Sequence, residues 1–522
     1  MQDKARYSEC EKLLLEGRYK EAFSLANDIS DPACRAAILI DAGYQLKKPN
    51  ALREGIRLFE ETLNETVSRE TMLSRSSVLY NIANGYSSLY SLRKAKRRAY
   101  PVPPNDDDLR LAKIKYRQAL SALHKETPSY RTKLWVNYGN CLSQLGREIE
   151  AIDCYRRALD EDPENGMASG NLGVGLYHVT RIMGKYKHDY ILAAHQAISA
   201  ALGNRMHLRY GTASAKATFI KTKSELDNII KAHRGTLSPS KQTEAIFRRK
   251  PTQRYVSFCR DNSLFLNAWV GDKSMAPAIS DEIHFGPILT SINDNETVPE
   301  LLRVLNEIKE SYCTARYLYY ESLNTSPTLD DTSKLTLYFH TNDMTDLHGL
   351  YIGILKSAYA RAFDVLDKVA RVINIYFGIG RREDSFWNVL AARQSRGQEH
   401  QIRFAVRTQV ISFNNYSLYA LADICLDYFE SENVDLKTID SMRNRITHDY
   451  LTILSECNDP NNIKTAISRA EMKDKTLSVL LLAKYATLYA VSAINIAEFQ
   501  KRSGDSVPTI YYRNFSGLTT VD

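Results

Sequence analysis

Residues 443–448 read Arg-Asn-Arg-Ile-Thr-His and supply three side chains that can act together on a phosphate group. The guanidinium of Arg443 carries a fixed positive charge and binds phosphate oxygens through paired N–H groups. The imidazole of His448 can move a proton near neutral pH, and the amide of Asn444 can donate and accept hydrogen bonds. This spacing predicts a site at which a cation, an amide and a titratable group meet one phosphate.

These three residues lie in a segment, 435–454, that is predicted to be an amphipathic helix. Its apolar residues recur at intervals of three and four and predict one buried stripe: Ile439, Met442, Ile446, Tyr450 and Ile453. Asn444 and His448 then lie one turn apart on roughly the opposite face. Arg443 lies between the two faces, and its long stem could bring the guanidinium toward the imidazole.

Composition is typical of a globular intracellular protein. The 522 residues are 44% hydrophobic and 25% charged, which predicts two to four domains with a substantial core. The eight cysteines contain no C-x-x-C pair, so neither a zinc site nor a disulfide framework is expected. Residues 1–6 lead into a charged helix without the apolar core of a signal peptide, which favours the cytoplasm. No cofactor or metal is expected, and the net charge of +8 permits a polyanionic partner.

The first part of the chain shows a helical repeat. Between residues 132 and 165, nine residues fit the spacing of one 34-residue tetratricopeptide unit: Trp135, Tyr138, Gly139, Leu142, Gly146, Ala151, Tyr155, Ala158 and Pro163. Gly139 and Ala151 would let the two helices approach closely, and Pro163 would end the second helix. Degenerate copies flank this unit. We therefore predict a tetratricopeptide-like helical solenoid over residues 1–235.

The last part of the chain predicts a helical bundle. After a mixed linker or packing segment, residues 236–300, helical periodicity returns in a lead-in helix at 298–323. Four later segments could form an antiparallel bundle within residues 301–522, at 346–377, 416–430, 435–454 and 469–499. The very apolar stretch 477–497 is interrupted by Lys484 and Asn495, and we predict a buried bundle helix there rather than a membrane span.

The connection between the first two bundle helices, residues 378–413, is markedly basic. It carries six arginines that form a candidate RNA-binding set: Arg381, Arg382, Arg393, Arg396, Arg403 and Arg407. Positive charge along a loop can bind a phosphate backbone. Solvated surface charge is the alternative explanation for the same pattern.

A helical bundle with Arg-Asn-x-x-x-His on a late helix resembles the HEPN domain, a family of helical domains that includes many ribonucleases. Arg443, Asn444 and His448 match the arginine, the following polar residue and the histidine of its motif. Residues 306–321 resemble the lead-in of a HEPN subgroup with N-terminal tetratricopeptide repeats. The resemblance implies an all-α chain, with a tetratricopeptide-like solenoid followed by a HEPN-type four-helix bundle.

The resemblance also implies a function, namely metal-independent endoribonuclease activity in which the ribose 2′-hydroxyl attacks the adjacent phosphate. His448 would be the general acid/base, Arg443 the phosphate ligand, and Asn444 the residue that orients them. HEPN domains commonly pair two motifs, so a homodimer through the HEPN domain is expected. The other expected partners are RNA and an unknown protein or ligand that binds the repeat solenoid. Antiviral defence or toxin-like growth arrest would suit such an enzyme, with the repeat domain controlling cleavage.

Two alternative interpretations fit the same sequence features. The chain could be a non-catalytic repeat scaffold whose HEPN bundle binds RNA or nucleotide without cutting it. The charged residues around His448 could also be ordinary solvated helix charges, with Arg445 and Asp449 forming an i, i+4 pair. No membrane partner is expected under any of these readings.

Overall fold

The structure is a computed structural model of the full chain. It describes residues 2–65, 73–94, 106–124, 126–180, 187–203, 213–233, 250–281, 283–290, 297–325, 340–341, 344–347, 349–380, 385–395, 402–429, 434–454, 466–502 and 510–512. Its contacts divide the chain into two compact units. The first comprises Met1–Val179 and Ile191–Leu237, and the second comprises Thr180–Tyr190 and Ser238–Asp522.

The first unit is built from consecutive helices packed as pairs. In chain order they are α1 (Gln2–Leu15), α2 (Tyr19–Leu25), α3 (Pro32–Gln45), α4 (Pro49–Glu65), α5 (Arg75–Lys94), α6 (Asp107–Ser121), α7 (Pro128–Gln144), α8 (Glu148–Glu161), α9 (Gly166–Val179), α10 (Lys187–Leu202) and α11 (Ala213–Ala232). Proline at the first helical position and a capping side chain begin both α3 and α7. From α1 to α9, each helix packs against the next in sequence order, as a solenoid requires.

The repeat at residues 132–165 packs as its sequence predicts. It spans most of α7 and all of α8, and Pro163 follows directly after the end of α8. A Cβ atom added to Gly139 would lie 2.7 Å from Cε1 of Tyr155, so the close approach of the two helices needs a glycine there. Tyr155 and Ala151 are buried in the gap. The predicted roles of these residues in packing are confirmed.

The second unit contains the predicted bundle. Its helices are α12 (Lys250–Asp261), α13 (Thr297–Asn324), α14 (Leu350–Phe377), α15 (Phe386–Val389), α16 (Thr408–Ser412), α17 (Tyr416–Phe429), α18 (Val434–His448) and α19 (Arg469–Arg502). The long helices α13, α14, α17, α18 and α19 pack around one apolar core. The predicted all-α fold class, with a helical solenoid followed in the chain by a helical bundle, is confirmed.

Short strands join the helices of this unit. They are β1 (Ile288–Thr290), β2 (His340–Thr341), β3 (Met344–Leu347), β4 (Ala391–Ser395), β5 (Ile402–Val406), β6 (Thr452–Leu454), β7 (Ala466–Ser468) and β8 (Ile510–Tyr512). Antiparallel pairs form between β1 and β8 and between β4 and β5. A further, four-stranded sheet has the order β2-β3-β6-β7, with β6 antiparallel to β3 and parallel to β7.

Helix α18 is shorter than the segment predicted from periodicity. It ends at His448, and the next residues enter strand β6 instead of continuing the helix to residue 454. Ile453 is buried as expected, but it is buried as a strand residue opposite Leu347 and Ile467. Tyr450 is 63% exposed, so its place on the buried stripe was predicted wrongly. Pairing with distant strands decides this boundary, and helical spacing within one segment cannot reveal it.

Helix α19 contains the apolar stretch that was predicted to be a bundle helix. By length and composition alone its residues 469–501 could cross a membrane, and most of its apolar window is buried within the protein. Lys484 lies in this helix and donates a hydrogen bond to the carbonyl oxygen of Ser263, at 2.8 Å. Partners within the protein therefore cover this helix, as expected for a core helix.

Candidate active site

Helix α18 is anchored to the bundle by a buried hydrogen bond. The hydroxyl of Tyr359, on α14, donates to the main-chain oxygen of Ile439 at 2.6 Å, and the Tyr359 side chain is fully buried. Ile439 and Met442 turn inward beside it, with 3% and 2% exposure. This contact fixes the rotation of α18 about its axis, and hence which of its residues face solvent.

The other end of α18 is anchored through the chain that follows it. Leu451 is buried, and its carbonyl oxygen accepts a hydrogen bond from Nζ of Lys356 at 2.5 Å. Strand β6 then pairs with β3 and β7, which lead into α14 and α19. Because the last turn of α18 lies between two fixed points, His448 occupies a defined position at the end of the helix.

Asn444 and His448 are both exposed on α18, as their spacing predicts. They are one helical turn apart on a common face. The imidazole of His448 makes no hydrogen bond to any residue that the structure describes. Both ring nitrogens are therefore open to a ligand that approaches from solvent.

Arg443 points in a different direction from the one expected. Its guanidinium lies over the ring of Phe363, with 5.4 Å between Cζ and the ring centroid, and 3.7 Å separate its Nη2 from Oδ2 of Asp367. Its Nη1 donates to Oδ1 of Asn444 at 3.2 Å. The structure therefore joins Arg443 to Asn444 but directs the guanidinium toward α14, where an aromatic face and a carboxylate attract it.

Arg443 forms part of the wall of a cleft of about 890 Å³ within the second unit. Helices α13, α14, α15, α17 and α18 contribute to this cleft, and its lining includes Phe363, Asp367, Trp387, Tyr428 and Asp440. The rings of Trp387 and Tyr428 are stacked, with centroids 4.5 Å apart and planes 9° apart. The cleft is large enough for a small organic ligand or a nucleotide.

Burial shifts two titratable groups of the cleft. It raises the pKa of the Asp367 carboxyl, while the neighbouring Arg443 cation and a hydrogen bond from the main-chain N–H of Phe386 oppose that rise. Burial also raises the pKa of the Tyr428 hydroxyl to about 12, and the adjacent Asp440 carboxylate adds to this effect. Oδ2 of Asp440 accepts a hydrogen bond from that hydroxyl at 2.8 Å.

The structure describes three of the six arginines of the basic connection, Arg393, Arg403 and Arg407. Arg381, Arg382 and Arg396 lie outside the described residues. Arg393 and Arg403 lie in the paired strands β4 and β5, where their backbones face Phe404 and Gln394. Arg407 holds the main-chain oxygen of Asn388 through Nη2 at 2.9 Å, so this guanidinium has a structural partner. The RNA-binding role of the set stays a prediction.

Sequence reasoning missed the acidic and aromatic residues of the cleft. Asp440 precedes Arg443 by three residues and lies on the same side of α18, a relation that helical spacing could have shown. Asp367 and Trp387 come from other helices, so only the folded chain brings them to Arg443. Within the described ranges, no group of three or more His, Cys, Asp or Glu side chains is placed to hold a metal ion.

The raised pKa of Asp367 predicts how this carboxyl affects stability. A folded-state pKa above the unfolded value, about 3.9, means that the ionised form disfavours folding. This unfavourable contribution is absent at low pH and appears as the pH rises through the folded-state pKa. We expect the free energy of unfolding of the parent to fall relative to that of Asp367→Asn as the pH rises from about 3 to 7.

Denaturant unfolding of both proteins across this pH range measures the difference. Asp364→Asn is the matched control, because Asp364 lies one turn away on α14 with a side chain of similar exposure, 44% against 41%, and does not line the cleft. A pH-independent difference for Asp367→Asn, or the same trend in the control, would contradict the assignment.

Comparison with known proteins finds a match in each of the two parts of the chain. The family model described as LA2681-like HEPN matches residues 292–497, and a tetratricopeptide-repeat model matches residues 132–165. No curated protein matches the chain. The HEPN match begins just before α13 and ends within α19, so it covers the cleft and the helix that carries Arg443, Asn444 and His448. The chain therefore contains an LA2681-like HEPN domain preceded by a tetratricopeptide repeat.

Proposed function

We propose that this protein is an endoribonuclease that cleaves RNA by attack of a ribose 2′-hydroxyl on the adjacent phosphate. The observation that carries the proposal is the placement of Asn444 and His448 on the exposed face of α18, with Arg443 joined to Asn444. HEPN domains are often ribonucleases, which supports the same reaction class. A cytoplasmic RNA would be the substrate.

The proposed reaction needs proton transfer and charge stabilisation, and side chains can supply both without a metal ion. A bond forms between the 2′-oxygen and phosphorus, and the bond between phosphorus and the 5′-oxygen breaks. The products are a 2′,3′-cyclic phosphate and a 5′-hydroxyl. His448 would take the proton from the 2′-hydroxyl or return one to the leaving 5′-oxygen, while Arg443 would bind the phosphate as negative charge develops.

Arg443 is free to exchange its present partner for a phosphate. Its contact with Asp367 is 3.7 Å long, beyond hydrogen-bond distance, and both side chains are partly solvated. Such pairs contribute about 0–1 kcal/mol to stability. A phosphate bound through two charge-assisted hydrogen bonds interacts more strongly with a guanidinium. We propose that RNA draws the guanidinium of Arg443 toward the face of α18 that carries His448.

We expect His448→Ala to lower the rate of RNA cleavage by about two to four orders of magnitude. The side chain is exposed at the end of α18, so the free energy of unfolding should change by less than about 0.5 kcal/mol. Cleavage of a fluorescent RNA and thermal unfolding measure the two quantities. His124→Ala replaces another exposed histidine and serves as the matched control. Equal cleavage by parent and His448→Ala would disprove the catalytic role.

One copy of the motif offers a single imidazole, whereas the reaction uses both a base and an acid. We propose a homodimer that brings the His448 faces of two chains into one cleft. Tyr450 supports this arrangement, because this large ring is 63% exposed two residues after His448. Large exposed aromatic residues are enriched where proteins associate.

Light scattering across a concentration series should give a mass near twice the 59.4 kDa of one chain. Tyr450→Asp should shift the distribution toward the monomer, because it would place two like charges in the interface. Tyr317→Asp, at an exposed tyrosine on α13, is the control and should leave the mass unchanged. A strict monomer that still cleaves RNA efficiently would refute the paired site.

We further propose that the solenoid binds a partner and restrains the nuclease, as would suit antiviral defence or toxin-like growth arrest. Tetratricopeptide repeats are protein-interaction modules. An unrestrained nuclease would damage its own cell, and binding on the repeats could change how the attached bundle pairs.

Expression of residues 240–522 beside the full chain tests this restraint. Restraint predicts stronger growth arrest from the fragment, and His448→Ala should abolish that arrest. A soluble, helical fragment with lower activity than the full chain would instead mean that the repeats recruit substrate.

A further inference from the structure

Among the described residues, one carboxylate in the cleft beside Arg443 has no cation within ion-pair distance. Glu300 pairs with Arg371 at 3.0 Å, and Asp367 lies 3.7 Å from Arg443. These two acids are each balanced by an arginine. Asp440 remains, and the described lining residues therefore carry one more negative than positive charge.

Asp440 is held in place but is only partly satisfied as an acceptor. Its Oδ2 accepts the hydrogen bond from the Tyr428 hydroxyl at 2.8 Å. Its Oδ1 accepts no hydrogen bond from any residue that the structure describes. A fixed carboxylate oxygen in the wall of a cleft is an acceptor for a ligand that presents N–H groups. It also repels a phosphate, so the sugar–phosphate backbone is not the group that this cleft admits.

The stacked rings of Trp387 and Tyr428 form a flat aromatic surface in the wall of the same cleft. Tyr428 stacks on the buried ring of Trp387 and is itself only half buried, so part of it faces solvent. Ser385 and Asn388 add polar groups to the lining. Flat rings next to a hydrogen-bonding edge suit a planar heterocycle, because bases stack on aromatic side chains while their edges are read by polar groups.

Arg443 connects this cleft to the proposed cleavage site. Its guanidinium belongs to the wall of the cleft, and it also contacts Asn444 on the exposed face of α18. A phosphate bound by Arg443 would therefore lie at the wall of the cleft and next to Asn444, which shares the exposed face of α18 with His448. The base of a nucleotide attached to that phosphate is within reach of the cleft.

We propose that this cleft binds the base of a nucleotide next to the phosphate held by Arg443, and that Asp440 makes it selective for guanine. Guanine presents two neighbouring donors, N1–H and the N2 amino group, to one carboxylate. Adenine and cytosine present an amino donor beside a ring nitrogen that accepts, and the N3–H of uracil lies between two carbonyl oxygens. These acceptors would face the Asp440 carboxylate, which disfavours the other three bases. The position of the base rests on the proposed function, whereas its identity rests on the cleft.

The test uses the full chain carrying His448→Ala, so that RNA stays intact during the measurement. Four fluorescent nine-residue RNAs differ only at a central nucleotide, G, A, C or U, placed among uridines. We expect anisotropy titrations to show the G-containing RNA bound about tenfold more tightly than the others. Adding Asp440→Asn should remove this preference, and adding Asp364→Asn, the matched charge control, should retain it. Equal affinity for all four RNAs, or a guanine preference unchanged by Asp440→Asn, would overturn the proposal.

A change in the ligand tests the same contact without altering the protein. Inosine lacks the N2 amino group of guanosine and keeps N1–H, so the inosine-containing RNA should bind severalfold more weakly than the guanosine one. Equal binding of the two would also overturn the proposal. If the parent protein does not cut RNA but the guanine preference depends on Asp440, the proposed ribonuclease function is refuted and the base site is retained. Cleavage that depends on His448 but shows no such preference would refute the base site alone.

Discussion

The position of helix α18 depends on contacts made outside its own sequence. The Tyr359 hydroxyl binds the Ile439 carbonyl inside the bundle, and β6 holds the chain just after His448. Together these contacts fix the rotation of the helix and the position of its end. They place Asn444 and His448 in solvent and Arg443 against the cleft, so every chemical role assigned to this helix follows from them.

Arg443 lies between two electrostatic environments. On one side are the Phe363 ring and the Asp367 carboxylate, and on the other are Asn444 and the exposed face with His448. Neither environment holds the guanidinium through a short ion pair. An anion with two acceptor oxygens can therefore compete for it at small cost. In the proposed reaction, the same side chain would exchange these contacts for a phosphate of the RNA.

Local spacing predicted most of the helices and the exposed face of the motif, because both depend on residues within a few turns of one another. The packing of Gly139 against Tyr155 also follows from a repeat pattern within 34 residues. The end of α18 could not be predicted from local spacing, because Tyr450 and Ile453 continue the apolar pattern of the helix. Strand β6 nevertheless pairs with strands that are distant in sequence. The cleft could not be predicted either, because Asp367, Trp387 and Tyr428 come from three separate helices.

The chemical identity of the cleavage products tests the central claim most directly. The full chain would be incubated with a short RNA and with the same RNA carrying a 2′-deoxyribose at the cleaved nucleotide, and the ends would be identified by mass spectrometry. Attack by the 2′-hydroxyl predicts a 2′,3′-cyclic phosphate and a 5′-hydroxyl from the RNA, and no cleavage at the deoxyribose position. Products with a 3′-hydroxyl and a 5′-phosphate, or cleavage at the deoxyribose position, would contradict it.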